Sequence, residues 1–187
     1  MIRGLMLLFC CLAMLPAHAE LSYELLTQLT DSPDELKGDF KQEKYLAEFD
    51  TTLVSTGHFN YQRDKFIRWH TQEPIENELM MQPNRITSSQ DNELISLDSD
   101  KDPATKVLTE IFFSVLTADW YALSEYFFAN GEYQNNRDWQ VKLTPRHQML
   151  KQAISHVELS GDSLMREVVL YEKSGDITHI NFMNLQK

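Results

Sequence analysis

The side chains best suited to proton transfer or metal ligation are the histidines His58, His70, His147, His156 and His179. No two of them stand four apart, and none has a carboxylate at a zinc-type spacing, so they read as strand or surface histidines and no metal is expected. Both cysteines, Cys10 and Cys11, fall in an N-terminal apolar run, which leaves no thiol nucleophile beyond it. There is no G-x-S-x-G elbow around any serine, and six glycines build neither a phosphate-cradling loop nor a dinucleotide fingerprint. Asp98, Asp100 and Asp102 alternate like the first ligands of a calcium loop but lack its central glycine and closing glutamate. They read as a solvated acidic loop before a helix. Neither a catalytic residue nor a cofactor is expected, and the chain does not read as an enzyme.

The ends bound the compartment. Arg3 precedes an apolar run over residues 5–15 and then Pro16-Ala17-His18-Ala19, the three parts of a cleaved signal peptide over residues 1–19. The run is too short to span a bilayer. Neither cysteine follows the small-residue pair of a lipoprotein signal, so residues 20–187 are expected to be exported as one soluble domain without disulfides, large enough to bury a core unaided. Loss of Arg3 makes the formal net charge of −11 one unit more negative. So acidic a chain is repelled by nucleic acid and by anionic membrane surfaces.

The elements that position these residues follow from periodicity. Leu25, Leu26 and Leu29 give a short amphipathic helix before Asp31-Ser32-Pro33. Alternation over residues 38–45, 53–61, 66–70, 78–81, 85–88 and 94–97, with turns at Arg63-Asp64-Lys65 and Pro83-Asn84, gives an antiparallel meander. Asp102-Pro103 then opens a helix whose Val107, Leu108, Ile111, Phe112, Val115 and Leu116 form a wide apolar stripe. A second helix is expected from Asp119 to about Asn130-Gly131, with Trp120, Leu123, Phe127 and Phe128 apolar. Strands resume over residues 139–145, 154–159, 167–172 and 177–185, with a hairpin turn at Ser174-Gly175-Asp176. One sheet with one helical layer is the economical architecture.

The middle helices carry more apolar surface than one stripe needs to reach a sheet. Ile111, Phe112, Phe113, Trp120, Tyr121, Tyr126, Phe127 and Phe128 fit either an ordinary packed core or the wall of an apolar cavity. Periodicity favours the former, and leaves both open.

Several segments in a fixed order resemble the periplasmic outer-membrane lipoprotein carriers of the LolA type. They are the export signal, Gly38-Asp39-Phe40-Lys41-Gln42, Gly57-His58-Phe59-Asn60-Tyr61-Gln62-Arg63, Phe66-Ile67-Arg68-Trp69 and Pro74. Asp119 and Leu123, the V-x-L-x-P strand through Val141, Leu143 and Pro145, and residues 177–182 follow in order. The resemblance implies an α+β fold: a strongly curved antiparallel sheet, an incomplete barrel, with a helical lid over an apolar cavity that takes up acyl chains without covalent chemistry. Arg63 matches the family arginine that bonds to the lid and holds it shut. The residues implied for the cavity are Phe40, Phe59, Tyr61, Phe66, Trp69, Leu108, Ile111, Phe112, Val115, Leu116, Leu123 and Phe127. By alternation only one of Phe66 and Trp69 can face it.

The implied partners are an acylated lipoprotein or lipid cargo, an inner-membrane release complex and an outer-membrane acceptor, met by a periplasmic monomer through transient contacts. The sequence departs from the family pattern in three places. Asp64 stands where proline is usual, and Gln82-Pro83-Asn84-Arg85 stands where an Asp-Gly turn and an aromatic strand are usual. Asn184-Leu185-Gln186-Lys187 ends the sequence short of a terminal F-x-F-x-x-P segment. Shorter relatives are associated with other acylated or polyene lipids, so a non-protein lipid is an alternative cargo. A non-enzymatic module that binds a periplasmic protein is another.

Overall fold

A computed structural model describes residues 22–83, 85–90, 93–98, 103–133 and 138–187. The signal peptide expected over residues 1–19, Asn84 of the Pro83-Asn84 turn, and Asp100 and Asp102 of the acidic loop lie outside the described residues. The meander is β1 (Glu35–Leu46), β2 (Thr51–Gln62), β3 (Phe66–Glu73), β4 (Asn77–Gln82), β5 (Arg85–Gln90) and β6 (Glu93–Asp98). After the helices come β7 (Phe127–Tyr133), β8 (Trp139–Pro145), β9 (Ile154–Gly161), β10 (Met165–Glu172) and β11 (Ile177–Gln186). All are antiparallel in one open sheet ordered β6-β5-β4-β3-β2-β1-β11-β10-β9-β8-β7. This is the expected α+β incomplete barrel.

The helices are α1 (Tyr23–Leu29), α2 (Pro103–Thr117), α3 (Trp120–Tyr126) and α4 (Gln148–Ala153). Because β6 and β7 are the two edges of the sheet, α2 and α3 must carry the chain from one edge to the other, and they do so across one face.

Tight pairing at the sheet centre depends on Gly57. It lies opposite Phe40 of β1, and a Cβ there would come 2.0 Å from the His70 carbonyl oxygen and 2.9 Å from Phe40 Cζ. Its absence lets Phe40 stack on Trp69 with ring centroids 3.9 Å apart. Phe182, opposite Phe40 on β11, meets Phe59 edge-on at 5.3 Å. Across the sheet, Trp120 and Trp139 make a perpendicular pair at 5.2 Å. Their indole N–H groups donate to Thr30 Oγ1 (2.8 Å) and to the Asp162 carbonyl (2.6 Å), which satisfies the polar tip that a buried tryptophan carries.

Two expectations are corrected. The second helix ends at Tyr126, not near Asn130-Gly131, because residues 127–133 pair with β8 as a strand. Phe127 is then 1% exposed and Phe128 52% exposed, a period of two that so short an aromatic run does not reveal by itself. The helix α4 was not expected. Among its six residues only Leu150 is buried, too little for a helical stripe to register.

Candidate functional site

The lid is held by its own end chemistry. The chain after α2 turns through Ala118 in the left-handed region (φ 50°), with Asp119 N–H donating to the Ser114 carbonyl at 2.9 Å and Ala118 N–H to that of Val115 at 3.3 Å. That pairing satisfies the last carbonyls of α2. Asp119 then caps α3, accepting from Ala122 N–H at 3.0 Å. The phenol of Tyr126 donates to Glu110, tying α3 back to α2. Burial, helped by that hydrogen bond, pushes the Tyr126 hydroxyl up to about 12. The Tyr23 hydroxyl donates to the Phe127 carbonyl at 2.9 Å, which anchors α1 where α3 passes into β7.

Under this lid lies a cavity of about 350 Å³ with a predominantly apolar wall. From the helices, Ile111, Phe112, Val115, Leu116 and Leu123 face it. Trp69, Leu143, Val157, Val168, Leu170, Ile180 and Phe182 face it from the sheet together with Phe127 and Ile154, and Gln42, Lys44, Glu172 and Thr178 also line it. Phe112 is 40% exposed and so stands at an opening, whereas Leu116 is 5% exposed. A second, shallower groove of about 730 Å³ runs past Asp39, His58 and Asn184, and is half polar. It offers no continuous apolar wall.

Seven of the twelve expected residues face the cavity: Trp69, Ile111, Phe112, Val115, Leu116, Leu123 and Phe127. Phe40, Phe59 and Tyr61 lie elsewhere. They point to the helix-covered side but are consumed in the adjoining aromatic core, Phe40 and Phe59 against Trp69 and Tyr61 edge-on to Phe113 at 6.2 Å. Of the pair left open, Trp69 faces the cavity; Phe66, three positions earlier, points to the other side of the sheet. Leu108 belongs to α2, but its side chain falls outside the described residues.

Sequence reasoning missed the whole wall supplied by β8 to β11. The signal was there in the alternation of Val141 with Leu143, Val168 with Leu170 and Ile180 with Phe182, but alternation says which residues share a face and not which face is covered.

Arg63 does not reach a lid helix directly. Its guanidinium donates to Asp34 Oδ1 (2.7 Å), the Ser32 carbonyl (2.5 Å), Ser32 Oγ (3.0 Å) and the Pro33 carbonyl (3.0 Å). The hydroxyl of Ser32 in turn donates to the Thr117 carbonyl, the last residue of α2, at 2.7 Å. Arg63 thus organises the segment between α1 and β1, and Ser32 connects that segment to the lid. The Asp34 hydrogen bond holds the guanidinium above its already high range. Asp64 adopts φ 57°, a left-handed turn position that proline could not take.

The histidines share no site. His58 meets Asp39 (2.5 Å), His70 meets Glu76 (2.9 Å), His156 meets Glu158 (3.5 Å) and His179 meets Glu167 (2.6 Å), while His147 contacts the Glu125 carbonyl. The His58–Asp39 and His179–Glu167 pairs join neighbouring strands across 19 and 12 positions of sequence, which is why spacing did not show them. Among the described residues no group of three or more His, Cys, Asp or Glu is placed to hold a metal ion.

The family model described as outer membrane lipoprotein carrier protein LolA matches residues 31–187. The chain belongs to the LolA family. That match takes in every strand and both lid helices, so the cavity is built from residues the family model covers. Solved structures similar to this LolA family chain include a LolA superfamily protein from Nitrosomonas europaea, at 10% identity and a TM-score of 0.47, covering 88% of this chain and 90% of that one. A DUF1329 family protein from Desulfovibrio piger shares 9% identity at a TM-score of 0.46, with the same coverages of 88% and 90%. The Pseudomonas aeruginosa MucA/MucB complex gives 15% identity and a TM-score of 0.46, over 88% of this chain and 56% of that one. Among curated proteins none matches the sequence.

Proposed function

We propose that this protein is a soluble periplasmic carrier that shields the acyl chains of a lipoprotein or related lipid in transit from the inner to the outer membrane. The observation that carries this reading is the apolar cavity of about 350 Å³ enclosed between α2, α3 and the sheet. Each methylene moved from water into such a wall gains about 0.8 kcal/mol, so an alkyl chain needs no covalent attachment to be held. Membership of a family described as lipoprotein carriers supports the same reading, and the family's members are carriers or binding proteins rather than enzymes.

On this reading residues 1–19 direct export and residues 20–187 act as one carrier domain, a monomer that meets its donor and acceptor transiently. The Arg63–Ser32–Thr117 relay is the latch: its hydrogen bonds hold the end of α2, and their rupture accompanies opening of the lid.

The test is native mass spectrometry with lipid extraction on protein purified without detergent from the periplasm of its own host. A bound acylated species identified by fragmentation supports the carrier. Absence of lipid, together with no uptake of a fluorescent acyl chain, supports a protein-binding module instead.

A further inference from the structure

Within an otherwise apolar cavity one end is polar. Gln42 and Lys44 of β1, Thr178 of β11 and Glu172 of β10 all face inward there. Lys44 is opposite Thr178, and Lys44 Nζ reaches across that intervening strand to Glu172 Oε1 at 3.5 Å. At about 3.3 Å per residue, Lys44 stands roughly 13 Å along β1 from Phe40, which is opposite Phe182 and stacked on Trp69. The cavity is therefore an amphiphile-shaped site, with an aromatic end, aliphatic sides and a paired cation and anion at the far rim.

Charged side chains here bring a desolvation cost, moderated by their partial exposure, that a leucine and a valine would avoid, so packing of the apolar wall does not require them. Both side chains remain partly exposed, at 36% and 29%, and so are open to a second partner each.

We propose that Lys44 and Glu172 read the head group of the cargo, and that the preferred cargo is an acyl lipid with a zwitterionic phosphoethanolamine head. This assignment rests on the carrier reading. An adjacent ammonium and carboxylate complement an adjacent phosphate and ammonium: Lys44 donates to the phosphate as a point charge, and Glu172 accepts N–H bonds from the primary amine. A purely anionic head would place its charge beside Glu172. A quaternary amine would offer Glu172 no N–H.

The assignment is tested by titrating the delipidated full-length mature chain with four single-chain amphiphiles of the same acyl length, followed by native mass spectrometry. They are lysophosphatidylethanolamine, lysophosphatidylcholine, lysophosphatidylglycerol and a monoacylglycerol without a charged head. The expected result is an affinity for the ethanolamine lipid about tenfold above that for the glycerol phospholipid, with the choline lipid between. Glu172→Gln should abolish most of that ratio while leaving monoacylglycerol binding unchanged, and Lys44→Gln should weaken all three phospholipids together. Equal affinities for the four, or an unchanged ratio in Glu172→Gln, overturn the head-group assignment while leaving the carrier intact. No binding of any of the four overturns both.

Discussion

At the residue scale, the side chain that organises most backbone is Arg63. Four hydrogen bonds run from its guanidinium to residues 32–34, the short segment whose Ser32 touches the end of α2. Asp34 is largely exposed, so that ion pair by itself contributes little; the carbonyl bonds are what a lysine could not reproduce as a fork. Arg63→Leu should therefore cost about 1–3 kcal/mol in urea unfolding, with Arg63→Lys recovering only part. On the latch reading it should also speed acyl-chain uptake, and unchanged uptake kinetics would count against that role. Gly57→Ala has no such functional content and is a packing test. A methyl group 2.0 Å from the His70 carbonyl forces the β2–β3 pair apart, and an expected loss of about 1–3 kcal/mol would appear in the same unfolding assay.

At the scale of elements, the lid is two helices joined by a tight corner and one buttress. Tyr126→Phe removes the phenol donated to Glu110 and should cost about 1–2 kcal/mol, read as faster hydrogen exchange in α3 than in β1. A polar probe of the cavity has two useful positions on α2. Phe112 is half exposed at the opening, so Phe112→Glu should leave the melting temperature nearly unchanged while lowering acyl-chain affinity about tenfold or more. Leu116 is deep, and Leu116→Glu should lower both, because a carboxylate there has neither water nor partner. Outright unfolding of Phe112→Glu would mean that its ring is packed core and the space beside it is not a site.

For the whole molecule, titratable groups that folding shifts set the pH range of stability. Burial, and then the nearby Lys142, hold His156 below its ordinary value, so the folded state prefers the neutral ring. Asp39 is lowered by hydrogen bonds from Asn184 and His58. Asp162 is pushed up by burial but brought lower overall by the Leu164 N–H and by Arg166. Groups depressed in the folded state contribute above their unfolded values, and that contribution is lost as pH falls through the folded ones. Stability should thus begin to fall below about pH 6.5 through His156 and fall further below about 4 through the two aspartates. His156→Gln should flatten only the upper part of that profile. Tyr23, Tyr61 and Tyr126, each raised to about 12 chiefly by burial, act in the opposite direction: their contribution is complete below about pH 10 and is lost as pH rises towards 12. Urea midpoints measured from pH 3 to 11 would check both limbs. Much of the architecture was legible in the sequence by itself, because period-two alternation, the Pro103 helix start, the Asp119 cap and the order of the F-x-Q and G-x-F segments are local signals that survive without tertiary contacts. Tertiary structure decided the rest. Residues 127–133 became a strand because β8 lay ready to pair with them, and Phe40, Phe59 and Tyr61 went to the core because Trp69 and Phe113 stack there. The second half of the cavity wall, and the Lys44–Glu172 pair at its rim, exist only because β10, β11 and β1 lie side by side, a juxtaposition of residues more than a hundred positions apart that no local pattern encodes.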